Sequence, residues 1–508
     1  MMKNRPFPAQ EQNDRDDSKS KRQMPTTIAN SICSLWTNQS VLCTVPVLIL
    51  VTVASLDNAD KQLLASSFPM LEKSLHLDVK VLGYFSMFTN LSYALSLPFW
   101  GYALHTQGVA NIHILLSGAC ASWGIATIGI AVAGSSIYGQ AVFRAAVGVA
   151  LGSILPLSQT LLVELVQDPS MRGRAFGIMG VCEKLAGTIA ASLVIYVDYW
   201  QYPYYALGVF SVGMAALAKR GLDPKFILPE VCANPADNYT ALSEPQLSYR
   251  QIVERIAKIP AFLCLVAQGV FGGTPWDMMS FLLLLLDWRG FSKEQIVSIQ
   301  VTMGISSMFG VYIGGLLGDL GEQRMGMRGR IVVALVSVVG GIPLYGFFLY
   351  AKSYIGALLW VNLFHFVASW TPAGALRPLC AALARNPSER AQIVSMWIVL
   401  EKASGAVFGA PLVGYLTSGM LAQGQIQGTG SISHEKAQTL AFNLFGLSSF
   451  FWIICAIFWL FMGYTMRNDV SNNQSQKNFG GTLNENDDGH IIDLAPLVRS
   501  DEFLKKEP

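Results

Sequence analysis

EKLAG at residues 183–187 and EKASG at residues 401–405 decide how this chain is read. Each sets a carboxylate beside an ammonium, then a glycine, inside a long apolar run. An ionised side chain at the centre of a bilayer costs at least ~2.5 kcal/mol. Glu183 and Glu401 are 218 residues apart (401 − 183). Arg172 and Arg390, which end the loop motifs DPSMR and NPSER, are also 218 apart (390 − 172). A loop motif and an intramembrane motif that share one offset mark a duplicated unit. Upstream, GYALH from Gly101 corresponds to GLLGD from Gly315, and both close an apolar span.

The 508 residues are 52% hydrophobic and 13% charged, with a mean hydropathy of +0.41. A soluble chain is about one-quarter charged. The apolar runs are near the ~20 residues that span a bilayer as helix. Segments such as IVVALVSVVGGIPLYGFFLY have no polar face, which excludes amphipathic helices around a soluble core. The expected fold is an all-α membrane protein with twelve transmembrane helices in two pseudo-symmetric six-helix bundles. The net charge of +2 carries no basic stripe for nucleic acid. The eight cysteines have no metal spacing, so no metal or cofactor is expected.

Twelve spans are expected near 44–69, 81–104, 112–133, 136–165, 175–198, 203–218, 259–286, 294–318, 330–350, 354–384, 391–417 and 438–466. The domain plan is a disordered tail at 1–43, a bundle at 44–218, a polar linker at 219–258, a second bundle at 259–466 and a disordered tail at 467–508. Basic residues concentrate in the loops on the tail side, including Arg172, Arg174, Lys219, Arg220, Arg324, Arg328 and Arg385. That bias places both tails in the cytoplasm. The sequons at Asn38, Asn90, Asn238 and Asn473 fall in cytoplasmic or membrane segments. The terminal KKEP and the DDGHII stretch point to different compartments, so plasma membrane and endomembrane both stay open.

GGLLGDLGEQRMGMRGR follows the eighth span. Its Gly314, Gly318, Asp319, Arg328 and Arg330 resemble the gating loop of the major facilitator superfamily, and RAAVGVALG from Arg144 resembles that family's arginine-glycine signature. The resemblance covers nearly all of 44–466. It implies a latch in which Asp319 lies against a partner helix's N-terminus, where the macrodipole favours an anion. In the first half His105 stands in the aspartate's place. Within the family, NADKQLLASSFP and QGVFGGTPWD resemble the spinster-like branch. The glutamate usual in that branch's fourth helix is replaced by Leu151.

Asp60 and Arg144 lie ~12–14 Å below the outer ends of their spans at 1.5 Å per residue. Asp277 matches Asp60 in the second half at comparable depth (277 − 60 = 217). Desolvation favours the neutral form of a carboxylate and a nearby guanidinium the charged form. Helix movement that changes both is what a proton-driven carrier requires, so Asp60, Arg144 and Asp277 are the proton-coupling candidates. A fixed Asp60–Arg144 bridge is the plainer reading. Glu183, Lys184, His365, Glu401 and Lys402 are candidates for the substrate cavity, with inter-helix bridges as the alternative for the Glu-Lys pairs. Pro275 and Pro372 are expected to break the seventh and tenth helices.

The expectation is a secondary transporter working by alternating access, monomeric and not an enzyme. The spinster-like resemblance implies a lipid or lysolipid substrate, with a proton as coupling ion. A small organic anion or amino acid stands beside it. A non-transporting sensor or scaffold is the alternative of a different class.

Overall fold

A computed structural model of the chain describes residues 44–107, 111–166, 169–197, 199–223, 254–383, 387–424 and 432–483. The tail at 1–43, the linker over 224–253, the tail beyond 483 and the side chains of His105, Arg172, Arg174, Arg390 and Asn473 lie outside the described residues.

The described residues form twelve helical spans. The first half holds α1 (Val45–Leu75), α2 (Val79–Gln107), α3 (Ile112–Ala133), α4 (Ile137–Leu151 and Ile154–Leu165), α5 (Pro169–Tyr196) and α6 (Gln201–Gly221). The second holds α7 (Pro260–Met278 and Leu282–Trp288), α8 (Lys293–Met325), α9 (Met327–Tyr350), α10 (Tyr354–Ala368 and Arg377–Leu383), α11 (Pro387–Phe408 and Ala410–Gly424) and α12 (Ile432–Leu483). Among the described residues, nine helices are long and apolar enough to cross a membrane by length and composition. Helix α1 is not among them, because Asp57, Asp60, Lys61, Glu72 and Lys73 dilute its apolar run.

Local chemistry sets several boundaries. Ser292 and Gln295 form a capping box that starts α8. Ser136 and Ser353 cap α4 and α10 through their hydroxyls. Pro372 opens a π-helical turn, Pro372–Leu376, that interrupts α10 as expected. Pro275 does not break α7. The helix runs through it to Met278 and yields only at the 3₁₀ turn Met279–Phe281. Packed neighbours let a membrane helix absorb a missing N–H. The last helix also passes the expected boundary at 466 and continues to Leu483. A polar extension carries no hydropathy signal.

The two halves repeat one packing plan. Helix α1 lies on α5, α2 on α4 and α3 on α6; correspondingly α7 lies on α11, α8 on α10 and α9 on α12. Between halves, α2 meets α11 and α8 meets α5. The close approach of α2 and α4 depends on Gly148 and Gly152, where an added side chain would overlap Thr89, Ser92 and Ser96. In the second half the small residues sit on the other helix. Gly310 and Gly314 of α8 lie against the backbone of Phe366 and Trp370. All four positions correspond at an offset of 218 (366 − 148, 370 − 152, 310 − 92, 314 − 96). Small residues let backbones approach where hydrophobic force between helices is absent.

Candidate functional site

A layer of charged side chains lies at mid-depth. In the first half, Asp57 pairs with Lys61 at 2.6 Å one turn along α1. The Lys61 ammonium sits 4.6 Å over the Tyr93 ring of α2. Asp60 is buried and accepts a hydrogen bond from Trp123 Nε1 of α3 at 3.1 Å. Arg144, 1% exposed, donates to Gln140 Oε1 at 3.1 Å and reaches the Tyr204 hydroxyl at 3.5 Å. Its guanidinium also lies 4.7 Å over the Phe85 ring. Asp60 and Arg144 feel one another's charge but form no ion pair within 4.0 Å among the described residues. The fixed bridge weighed beside proton coupling is therefore not made among the described residues. Each group has a partner on its own side, the indole for Asp60 and a Gln-Tyr-Phe cradle for Arg144.

Both Glu-Lys motifs sit at helix contacts. Asn58 Nδ2 of α1 donates to the Glu183 carbonyl at 2.7 Å, and Gly187 admits Asn58 and Gln62. In the second half Gly405 of α11 admits the carboxylate of Asp277. Gly269 and Gly273 of α7 receive Trp397 and Glu401. Ser404 ties the pair further through Thr274 at 3.3 Å. The helices are joined by glycine contacts and by hydrogen bonds from side chains. Among the described residues none of Glu183, Lys184, Glu401 and Lys402 makes an ion pair, so the bridges weighed from the sequence are absent. Lys184 feels the charges of Glu183, Lys402 and Lys61, and His365 feels Lys184. Across the boundary between halves α5 packs on α8, where Gly304 admits Thr188. His365 is buried, with its ring 5.7 Å from Trp276 and its Nε2 unpartnered.

The two faces of the molecule differ. We call the face where α1 begins the terminal face and its opposite the far face. At the far face, Glu72 of α1 accepts from Trp288 Nε1 at 2.9 Å and from Lys436 Nζ at 3.1 Å. Lys73 pairs with Asp287 at 2.8 Å. Ser418 of α11 donates to Asp78 just before α2. Phe68 and Phe281 meet below at 5.1 Å. Gly83 and Gly414 bring α2 and α11 together at the same end. Towards the terminal face, Gly177 and Gly180 of α5 and Gly101 of α2 have open space where a side chain would project.

The loop after α8 is held differently from the expected latch. Arg330 of α9 pairs with Asp319 and Glu322 at 2.6 Å and donates to the Gly374 carbonyl of the π-helical turn at 2.9 Å. Gly318 packs on Gly374, and Gly314 on Trp370. Arg328 is exposed. Asp319 is thus held by Arg330 inside its own half, and its side chain is 63% exposed.

Asp60, Asp277, Glu183, Glu401 and both lysines fall in the charged layer, whereas Arg144 is set aside behind α2 and α6. Sequence reasoning missed Trp123, Gln140 and Tyr204 as partners, and it missed the Glu72–Trp288–Lys436 cluster. The signal for the cluster was present: opposite charges stand at the far ends of α1, α7 and α12.

The sequence profile of the Major Facilitator Superfamily matches residues 50–409. No curated protein sequence matches the chain. Among solved structures, a bacterial homologue of the human lysosomal transporter Spinster, described as inward-facing and occupied, is similar at a TM-score of 0.65 and 16% identity. The match covers 83% of this chain and 97% of that one. A nucleoside transporter matches at 0.59 and 13%, covering 82% and 98%. A D-xylose-proton symporter matches at 0.58 and 12%, covering 80% and 96%. With that profile spanning most of both bundles, and with two six-helix halves repeating one packing plan, the chain belongs to the Major Facilitator Superfamily of membrane transporters.

Proposed function

We propose that the chain is a secondary carrier working by alternating access, with cytoplasmic tails and the terminal face open to the cytoplasm. The observation that carries this reading is the asymmetry of the faces. Charged and aromatic side chains clasp the far ends of the halves, while glycines leave the terminal side of α5 open. A rocking carrier needs two such arrangements around one fixed layer. The bundles at 44–218 and 259–466 are the rocking bodies, and the linker at 219–258 joins them. The charged layer is the transport site.

In this reading Asp60 carries the coupling proton. It is buried among α1 and α3 with one neutral donor and an arginine within electrostatic reach. Asp277 is its counterpart in the second half. The substrate we favour is a lipid or lysolipid, supported by the spinster-like motifs in α1 and α7. A small organic anion or amino acid is the second reading, supported by the cationic groups of the layer. The test is uptake into proteoliposomes from a mixed lipid and metabolite panel, with and without an inward proton gradient. Accumulation that follows the gradient is expected. Uptake indifferent to the gradient would make the protein a facilitator, and no uptake at all would turn the reading to a sensor or scaffold.

A further inference from the structure

The contact of α7 with α11 sets an acid beside an indole without joining them. Trp397 and Glu401 stand one turn apart on one face of α11. Both are pressed onto glycines of α7. The place that a Gly269 side chain would fill holds the indole N–H of Trp397, and Oε2 of Glu401 lies 3.5 Å from the same point. Gly273 receives the rest of the glutamate, with Cδ at 2.8 Å and Oε1 at 2.9 Å from where its Cβ would stand. A turn about the last side-chain bonds of Glu401 therefore brings its carboxylate onto the N–H with both helices in place.

Each group lacks what the other offers. Trp397 Nε1 is buried without a partner. The Glu401 carboxylate makes no ion pair or hydrogen bond among the described residues. The other polar groups of the contact are committed. Gln268, just before Gly269, is turned to α12, with its Oε1 4.0 Å from the Cys455 thiol. Thr274 and Ser404 bond to each other and to the Val270 carbonyl. Lys402 points about 100° away from Glu401 round the helix, and its first charge partner is Asp277. In the first half the same two chemical groups are joined, Trp123 Nε1 on Asp60 at 3.1 Å.

Charge decides whether such a pair closes. A hydrogen bond to an ionised carboxylate is about twice as strong as one between neutral groups. With its proton, Glu401 rests against the glycines; without it, the carboxylate is drawn to the indole. We infer that Glu401 is a proton-binding residue of the second half, and that the Trp397 N–H is the positioning partner of its charged form. The inference rests on the carrier reading and adds to Asp60 a second proton site in the charged layer. Of the elements packed on this part of α11, α7 brings Asp277 to Glu401, α2 carries Tyr93 and α10 carries Arg377; on α11 itself Lys402 is the neighbour.

The test is spectroscopic. It uses the purified full chain in dodecyl maltoside, titrated over the pH range in which thermal melting shows each variant folded. The infrared carbonyl band of protonated acids reports Glu401. The ultraviolet Raman band of indole N–H reports whether that group is hydrogen-bonded. Trp397→Phe keeps an aromatic ring and loses the N–H, so the difference between wild type and this variant isolates one indole from the ten others (11 − 1), Trp123 included. In that difference the indole is expected to pass from free to bonded as the pH rises, in step with the loss of one acid band. Glu401→Gln should abolish both changes, and Trp397→Phe should keep the acid band. An indole that stays free at every pH would overturn the inference. So would an indole change that survives Glu401→Gln, or an acid band that Glu401→Gln leaves intact. The spectra need no transport. Failed uptake with a responsive pair counts against the carrier reading alone, and uptake with a silent pair counts against this inference alone.

Discussion

The carboxylate of Asp60 accepts its hydrogen bond from the indole of Trp123 at 3.1 Å, while Arg144 turns to Gln140 and Tyr204. The pair is thus a buried acid and a neutral donor on neighbouring helices of one half. Removing only the donor leaves the acid without it, at a cost of about 1–3 kcal/mol. Trp123→Phe should therefore lower stability by about that amount. Adding Asp60→Asn to it should recover part of the loss, because both partners are then altered together. Asp60→Asn alone should abolish the response of transport to a proton gradient while exchange at equal pH stays partly intact. Thermal melts of the three variants and paired uptake assays check this. A pH response that survives in Asp60→Asn would move the coupling site to Asp277.

Glu72 is the centre of the far-face clasp, with both carboxylate oxygens in use. Hydrogen bonds to charged groups contribute about 1.5–3 kcal/mol, and exposed ion pairs under about 1. Glu72→Gln is expected to raise far-face labelling of a cysteine placed at residue 68 about tenfold. Lys73→Ala, which removes an exposed partner of Asp287, should raise it much less. Equal labelling in the two variants would show that the clasp works through bulk and not through Glu72.

Arg330 joins three helices through Asp319, Glu322 and the Gly374 carbonyl. Its own side chain is buried, whereas the side chain of Asp319 is 63% exposed. The structural burden therefore falls on the arginine. Arg330→Ala should cost about 2–3 kcal/mol, less than the ~3–5 of a fully buried pair. Asp319→Asn should cost under about 1 kcal/mol. Its effect is expected instead in the opposite conformation, as easier labelling of α4 and α10 from the terminal side. Equal melting temperatures for the two variants would refute the division of roles.

What the sequence made legible was what both halves had kept. Glu183 and Glu401 hold one offset, so the duplication was readable, and the glycine-rich loop after α8 named the family. What had been exchanged between helices was hidden. Gly310 and Gly314 stand on α8, but their first-half counterparts are Ser92 and Ser96, because there the glycines moved across to α4 at 148 and 152. Comparing one helix with its copy misses an interface whose small side has changed hands. The Trp123–Asp60 contact was hidden because it depends on how α3 rotates against α1. The clasp was hidden because it joins Glu72 to Lys436, 364 positions apart. Charges at span ends had served only to orient the chain.

The same glycine map separates fold from passage. At Gly148 an added side chain would overlap the backbone of Thr89, and backbone cannot swing aside. Overpacking of this kind typically costs about 1–3 kcal/mol. Gly148→Val should therefore lower the melting temperature and transport together. At Gly177 and Gly180 nothing lies within 4 Å of an added Cβ. Gly177→Leu should leave melting nearly unchanged, because no helix contact is disturbed. It would nonetheless place a branched side chain in the opening above Lys184. Uptake should fall about tenfold or more if that opening is the route to the charged layer. Gly101→Leu, open at the end of α2, is the control for bulk away from that α5 face. Melting and uptake measured on all three variants decide the matter. Loss of stability in Gly177→Leu, or full uptake despite the added bulk, would show that α5 does not line the path.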